Sequence, residues 1–181
     1  MRQLSLFEAV ALIVSGTIGD HGMTILTQRE GLSFESSLTS DSAPLNRMVA
    51  AMLDASRNIH VLRDPTRGGL GTTLNEIASQ SGAGIRLYED QIPIKDEVAG
   101  VCELLGFDPL YVANEGKLIA IVAEEDADFV LDILRKDIYG RDARIIGEVL
   151  ADVPGRVVME TSIGGTRIID MLTGEQLPRI C

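Results

Sequence analysis

Tryptophan is absent from this chain of 181 residues, and aromatic side chains make up only 4% of it. Its core must therefore be filled by aliphatic groups. A hydrophobic content of 45% supplies them and excludes a chain too polar to fold. Cysteine is nearly absent too: Cys102 and the terminal Cys181 form no CxxC pair, so neither a disulfide framework nor a structural zinc site is expected. The two histidines, His21 and His60, stand apart from each other. No apolar run approaches the roughly 20 residues a membrane span needs. The opening "MRQLSLFEAVALIVSG" lacks a secretory-type cleavage site, so a cytoplasmic location is expected. Positive charge is scarce, with 16 Lys and Arg against 27 Asp and Glu and a net charge of −11. That balance argues against nucleic-acid binding, which needs phosphates neutralised by Lys and Arg. It leaves room for a small anion held by backbone N–H groups.

What is present alternates between strand and helix patterns. The apolar runs "ALIVSG" (11–16), "IHVLRD" (59–64), "GIRLYE" (84–89) and "KLIAIVAE" (117–124) predict strands. "ARIIGEVL", "GRVVME" and "TRIID" predict three more near the end. Between them lie helical patterns. One follows Asp20, a possible N-cap. A second begins near Pro44, with Leu45, Met48, Val49, Met52 and Leu53 on one face. Others run over 68–82 up to Gly82, over 95–107 with a stripe of Val98, Val101, Cys102 and Leu105, and over 125–137. The stretch 32–43 reads as a polar loop, and after Asp170 no periodicity survives. The closing strands follow too closely for parallel crossovers throughout. The expected fold is therefore α+β, a mixed or antiparallel sheet backed by amphipathic helices. The domain spans 11–170, with residues 1–10 as an N-terminal extension and 171–181 as a flexible tail.

Three segments have the composition of chemistry. In "RDPTRGGLGTTLNEIA" (63–78) a strand delivers Asp64 to a turn, and Gly68 and Gly69 precede a helix whose N–H groups suit an anion. No GK[ST] follows, so it is not a Walker A loop, and a plain turn capped by Asp64 or Thr66 fits as well. "ANEGKL" (113–118) places Glu115 and Lys117 at the mouth of a strand, as a general base and a phosphate partner or as two solvated charges of a β-turn. "SGTIGDHG" (15–22) puts His21 in a glycine-rich loop, as a proton shuttle or a packing group. Cys102 lies on an apolar helix face and reads as core. Cys181 ends "GEQLPRIC", which extended spans about 25 Å at about 3.3 Å per residue, enough to carry a thiol into a pocket.

Taken together, "IVSGTIGDHG", "RDPTRGG", "VCELLGFDPLYVANEGKL", "IGEV" and the terminal "PRIC" closely resemble the HypE family of hydrogenase maturation factors. That family sits in the superfamily of aminoimidazole ribonucleotide synthetase, selenophosphate synthetase and thiamine-monophosphate kinase. The resemblance runs from about Ala11 to Cys181. It implies a two-domain protein of which this chain is the second domain, homodimeric at full length. ATP with Mg2+ is then bound mostly by the first domain, so this chain alone is expected to be inactive. It further implies that a carbamoyltransferase loads Cys181 with a carbamoyl group, and that ATP-dependent dehydration turns this into a thiocyanate. The cyano group then passes to iron on a HypC–HypD scaffold for the [NiFe] hydrogenase centre. By motif position, Glu115 is the candidate base. Asp64, Thr66, Gly68, Gly69 and Lys117, with His21, border the nucleotide or the modified tail, and no resident metal site is expected. Two other readings fit parts of the sequence: a superfamily synthetase or kinase acting on a free small molecule, which gives "PRIC" no role, and a non-catalytic module whose tail docks a partner.

Overall fold

In the computed structural model, which describes residues 10–29, 38–151 and 153–174, the strand β1 (Val10–Val14) is buried along its whole length. Its five apolar residues, VALIV, can lie at the centre of a sheet covered on both faces, where alternation is not needed. The remaining elements follow as α1 (Asp20–Arg29), α2 (Asn46–Ala55), β2 (Ile59–Arg63), α3 (Gly69–Ser81), β3 (Gly84–Tyr88) and α4 (Asp96–Leu105). After these come β4 (Ile119–Ala123), α5 (Glu124–Lys136), β5 (Arg144–Leu150), β6 (Val157–Glu160) and β7 (Thr166–Ile169). The seven strands form one sheet in the order β2-β4-β1-β5-β3-β6-β7. Only β3 and β6 pair in parallel; the other pairs are antiparallel, so the expected mixed sheet is found. Among the described residues no helix is long and apolar enough to cross a membrane.

The alternation of the strands sends side chains to two separate cores. Val10, Leu12 and Val14 of β1 join Ile119 and Ile121 of β4 and the apolar stripe of α3, Leu70, Leu74 and Ile77. On the other face Ile13, Ala120 and Val122 meet Met48 and Met52 of α2 and Val130, Leu131 and Leu134 of α5. Helices therefore cover both faces of the sheet. A third cluster joins α1 to α4 through Met23, Leu26, Val98, Val101, Cys102 and Val112, beside the end of the sheet.

Some local expectations shift. Asp20 is the first residue of α1 rather than a cap before it, and its carboxylate accepts the Thr17 hydroxyl at 2.6 Å. Leu53 is 46% exposed, although it was expected on the buried face of α2. One residue beyond Met52 turns the helix by about 100°, which carries Leu53 past the stripe that Leu45, Met48, Val49 and Met52 present to the core. The helix after Gly68 ends at Gly82, which lacks a Cβ to strain its left-handed conformation (φ 71°) and donates its N–H to the Ala78 carbonyl. Of the polar stretch 32–43, residues 38–43 are described and form a loop; of the tail, 171–174 are described without regular structure, and Cys181 lies outside the described residues.

Cys102 is 1% exposed, as expected of a core residue. Burial first, and the negative charge of Asp108 second, push its thiol up to about 11. Because the folded state disfavours the thiolate, the contribution to stability is constant below 9 and is lost as pH rises from 9 through about 11. We expect a maleimide to leave Cys102 unmodified in the native chain at neutral pH and to label it in denaturant, as read by peptide mapping. Cys102→Ala should flatten that alkaline part of the pH dependence in urea unfolding; equal labelling with and without denaturant would contradict the assignment.

Candidate functional site

The register of three strands assembles the site. Ile119, the first residue of β4, pairs with both Val14, the last of β1, and Arg63, the last of β2. The two antiparallel pairings bring the exits of β1 and β2 to the entrance of β4, so the loops 15–19, 64–68 and 112–118 share one end of the sheet. Three of the segments singled out in the sequence thus become neighbours across nearly the whole chain.

Asn114, fully buried, joins them. Its side-chain oxygen accepts the Gly19 N–H at 2.8 Å. Its amide nitrogen donates to the carbonyls of Pro65 at 2.9 Å and Val112 at 3.1 Å, and its own backbone N–H also reaches Pro65 at 3.3 Å. Gly22 N–H donates to Ala113 in the same seam, and Ser15 clasps Leu118 through both its backbone and its hydroxyl. An amide suits this place because it offers two donors and an acceptor without a charge to desolvate.

The turn after β2 enters α3 through Gly68 and Gly69, both left-handed, and no side chain caps the helix. The capping role open to Asp64 and Thr66 is not taken: Asp64 is exposed, and Thr66 accepts the Gly69 N–H through its backbone carbonyl. A Cβ on Gly69 would lie 2.6 Å from the carbonyl oxygens of Leu110 and Val112, so this glycine is required by close backbone packing. The uncapped first turn keeps its N–H dipoles compatible with a phosphate.

Glu115 is half-buried on the next loop, and its backbone N–H donates to Asp41 Oδ1 at 3.0 Å. Lys117, 8% exposed, pairs with Asp41 Oδ2 at 3.1 Å. His21 is half-buried, with Nδ1 2.9 Å from the Ser40 hydroxyl and Nε2 enclosed without a hydrogen-bond partner among the described residues. A cavity of about 340 Å³ opens beside these groups, lined by Gly16, Thr17, Asp20, the 39–42 segment, Lys95 and Lys117. Lys95 pairs with Asp20 at 2.9 Å, so both lysines enter the cavity already matched by a carboxylate. Glu115, His21 and the 64–69 turn do not line it. The structure therefore brings His21, Asp64, Thr66, Gly68, Gly69 and Glu115 to one end of the sheet, and places Lys117 in an adjoining cavity. Asp41 and Lys95 were not anticipated. Asp41 lies in a serine-rich loop whose composition carries no distinguishing signal, and Lys95 is one solvated-looking charge among many.

Residues 10–160 match the family described as AIR synthase related protein, C-terminal domain, and the chain belongs to that family. Within it the similarity is to HypE proteins: the carbamoyl dehydratase HypE of Azotobacter vinelandii is 58% identical over 170 residues, covering 94% of this chain and 50% of the relative. A solved HypE in complex with ATP superposes with a TM-score of 0.89 at 52% identity, covering 95% of this chain and 52% of that one. HypE in a HypE–HypF complex gives 0.86 at 43%, covering 90% and 53%. The chain spans about half the length of the curated relatives it matches.

Asn114→Ala strips a buried acceptor and two donors from three loops at once. We expect a loss of about 2–4 kcal/mol in urea unfolding, more than an isolated hydrogen bond is worth. A loss below about 1 kcal/mol would show that the three loops hold together without it.

Proposed function

We propose that the chain is the part of a carbamoyl dehydratase of the HypE type that carries and dehydrates its own C-terminal S-carbamoyl group. The observation that carries this reading is the 58% identity, over 94% of the chain, to a protein named carbamoyl dehydratase. The sequence supports it by ending in "PRIC", with Cys181 as the carrier. The activity belongs to the longer protein, in which ATP with Mg2+ is bound and which forms a homodimer in the cytoplasm. The partners in this reading are a carbamoyltransferase, as in the solved HypE–HypF complex, and an iron-scaffold complex of the HypC–HypD type.

The reaction removes water from R–S–C(=O)NH2 to give R–S–C≡N. ATP supplies the phosphoryl group that lets the amide oxygen leave as phosphate. The residues of this chain must then position the amide and take protons from its nitrogen, since positioning and electrostatics are most of what phosphoryl transfer needs. Glu115 takes the role of base, held on the loop that Asn114 ties to the rest of the site. Asp64, Thr66, Gly68 and Gly69 border the phosphates at the uncapped start of α3, the one feature here that fits them. His21 borders the modified tail. Lys117 is assigned to the same site, although its pairing with Asp41 leaves it little net charge to offer a phosphate. Among the described residues no group of three or more His, Cys, Asp or Glu side chains is placed to hold a metal ion; in this reading ATP with Mg2+ is held mostly by the other domain of the longer protein.

Intact-mass analysis after incubation with the carbamoyltransferase, carbamoyl phosphate and ATP tests the carrier role, with cleavage after Glu175 to keep the tail readable. We expect a carbamoyl adduct that Cys181→Ala abolishes, followed by ATP-dependent loss of one water in the longer protein. No adduct in the longer protein would overturn the reading and leave a superfamily enzyme acting on a free small molecule.

A further inference from the structure

The loop from Leu38 to Ala43 belongs to no helix or strand, yet it is fastened to the site more firmly than a connecting loop requires. Asp41 is the fastening. Its side chain is 2% exposed, and its two oxygens grip the same short segment at two points. Oδ1 accepts the N–H of Glu115, and Oδ2 lies against the ammonium of Lys117, two residues further on. The backbone of Asp41 presses on the residue between them: a Cβ on Gly116 would fall 1.7 Å from the Asp41 carbonyl oxygen. Only glycine lets the two chains approach this closely. Ser40 adds a second fastening, with its hydroxyl at Nδ1 of His21 and also accepting the Ser42 N–H. Asn114, immediately before Glu115, is fixed from the opposite side by Gly19 and Pro65.

Glu115 is thus held between two fixed residues, Asn114 immediately before it and Lys117 two residues after it. A carboxylate is expensive to bury without partners, and Asp41 finds both on this one turn: a hydrogen bond at Oδ1 and, at Oδ2, a charge contact with Lys117 at 3.1 Å that lacks hydrogen-bond geometry. A residue that served only to end the loop would have no reason to neutralise Lys117. Left unmatched, that buried ammonium would lose the contact that ties the 38–43 loop to the entrance of β4.

We propose that Asp41 is a positioning residue for the candidate base: its carboxylate fixes the backbone of Glu115 and neutralises Lys117, so that Lys117 acts in holding the turn and not as a free cation for phosphate. The catalytic part of this inference rests on the reading of Glu115 as the base; the anchoring part does not.

The test separates the two. In the isotope-labelled 181-residue chain, amide hydrogen exchange is followed at Glu115 and along β4. Asp41→Ala removes the acceptor of the Glu115 N–H, and exchange at Glu115 should become about tenfold faster or more. Exchange at Ile119–Ala123 should stay within about threefold of the wild type, which shows that the fold has survived. Asp41→Asn keeps an acceptor oxygen and should restore most of the protection at Glu115, a rescue that general loosening of the loop would not give. In the longer protein, Asp41→Ala should lower kcat for dehydration of the carbamoylated tail by about tenfold or more while moving the KM for ATP by less than about threefold. Unchanged exchange at Glu115 in Asp41→Ala overturns the anchoring. Fast exchange with unaltered kcat overturns the link to the base. Should the wild type form no carbamoyl adduct at all, the functional reading falls, and the exchange measurements still decide whether Asp41 holds the turn.

Discussion

The geometry of this end of the molecule depends on one buried amide. Asn114 reaches the loop after β1, the turn after β2 and its own approach to β4 with a single neutral side chain. These backbone groups are enclosed and must be satisfied, because a buried polar group without a partner costs on the order of 1–3 kcal/mol. The strands alone would bring the loops near one another, but their register stops at Val14, Arg63 and Ile119. Beyond those residues the chain has no ladder to follow. Asn114 continues the alignment for the few residues in which the chemical groups lie.

Charge follows the same division. The two cores that cover the sheet are apolar, while the site end carries two ion pairs with buried carboxylates, Asp20–Lys95 and Asp41–Lys117. In each the carboxylate is 2% exposed, and the lysine reaches it from a more open position, 40% exposed for Lys95 and 9% for Lys117. Such pairs contribute little net stability, since desolvation offsets most of the attraction; what they fix is arrangement. Each ties a loop to a neighbour distant in sequence: α1 to the start of α4, and the 38–43 loop to the entrance of β4. The far end of the sheet is held differently. There β7 is fastened by Arg167 to Asp108, by Asn75 to the carbonyl of Ile169, and by Tyr111 to the carbonyl of Asp170. Ile169 and Asp170 are therefore held at a defined point beside α3.

Much of this was readable from the residues. Period-two and unbroken apolar runs gave the strands, 3.6-residue stripes gave the helices, and glycines such as Gly82 marked where helices stop. Closely spaced final strands implied a mixed sheet. The segments around Glu115 and the glycine turn at 68–69 were legible as candidates, and the strand register brings them to one end of the sheet. Less legible was which residues support them. Leu53 looked like core because a sequence stripe does not show its own edge; in the fold that edge falls after Leu45, Met48, Val49 and Met52. Gly69 read as a residue for close approach of a ligand, and the fold adds a second reason for it, since a Cβ there would meet the backbone of 110–112.

By itself the sequence determined what is local: the period of each element, the residues that end it, the aliphatic character of the core and the types of chemical group available. These depend on neighbours within a few positions. The tertiary structure alone decided that Asn114 would serve residues 19 and 65, and that Asp41 would serve 115 and 117. Those partners lie 49 to 95 residues apart, and a lone Asn or Asp in a polar loop has no periodicity by which to announce them. A buried hydrogen bond or ion pair is specified by where two segments meet in space, and that is known only once the sheet has set its register.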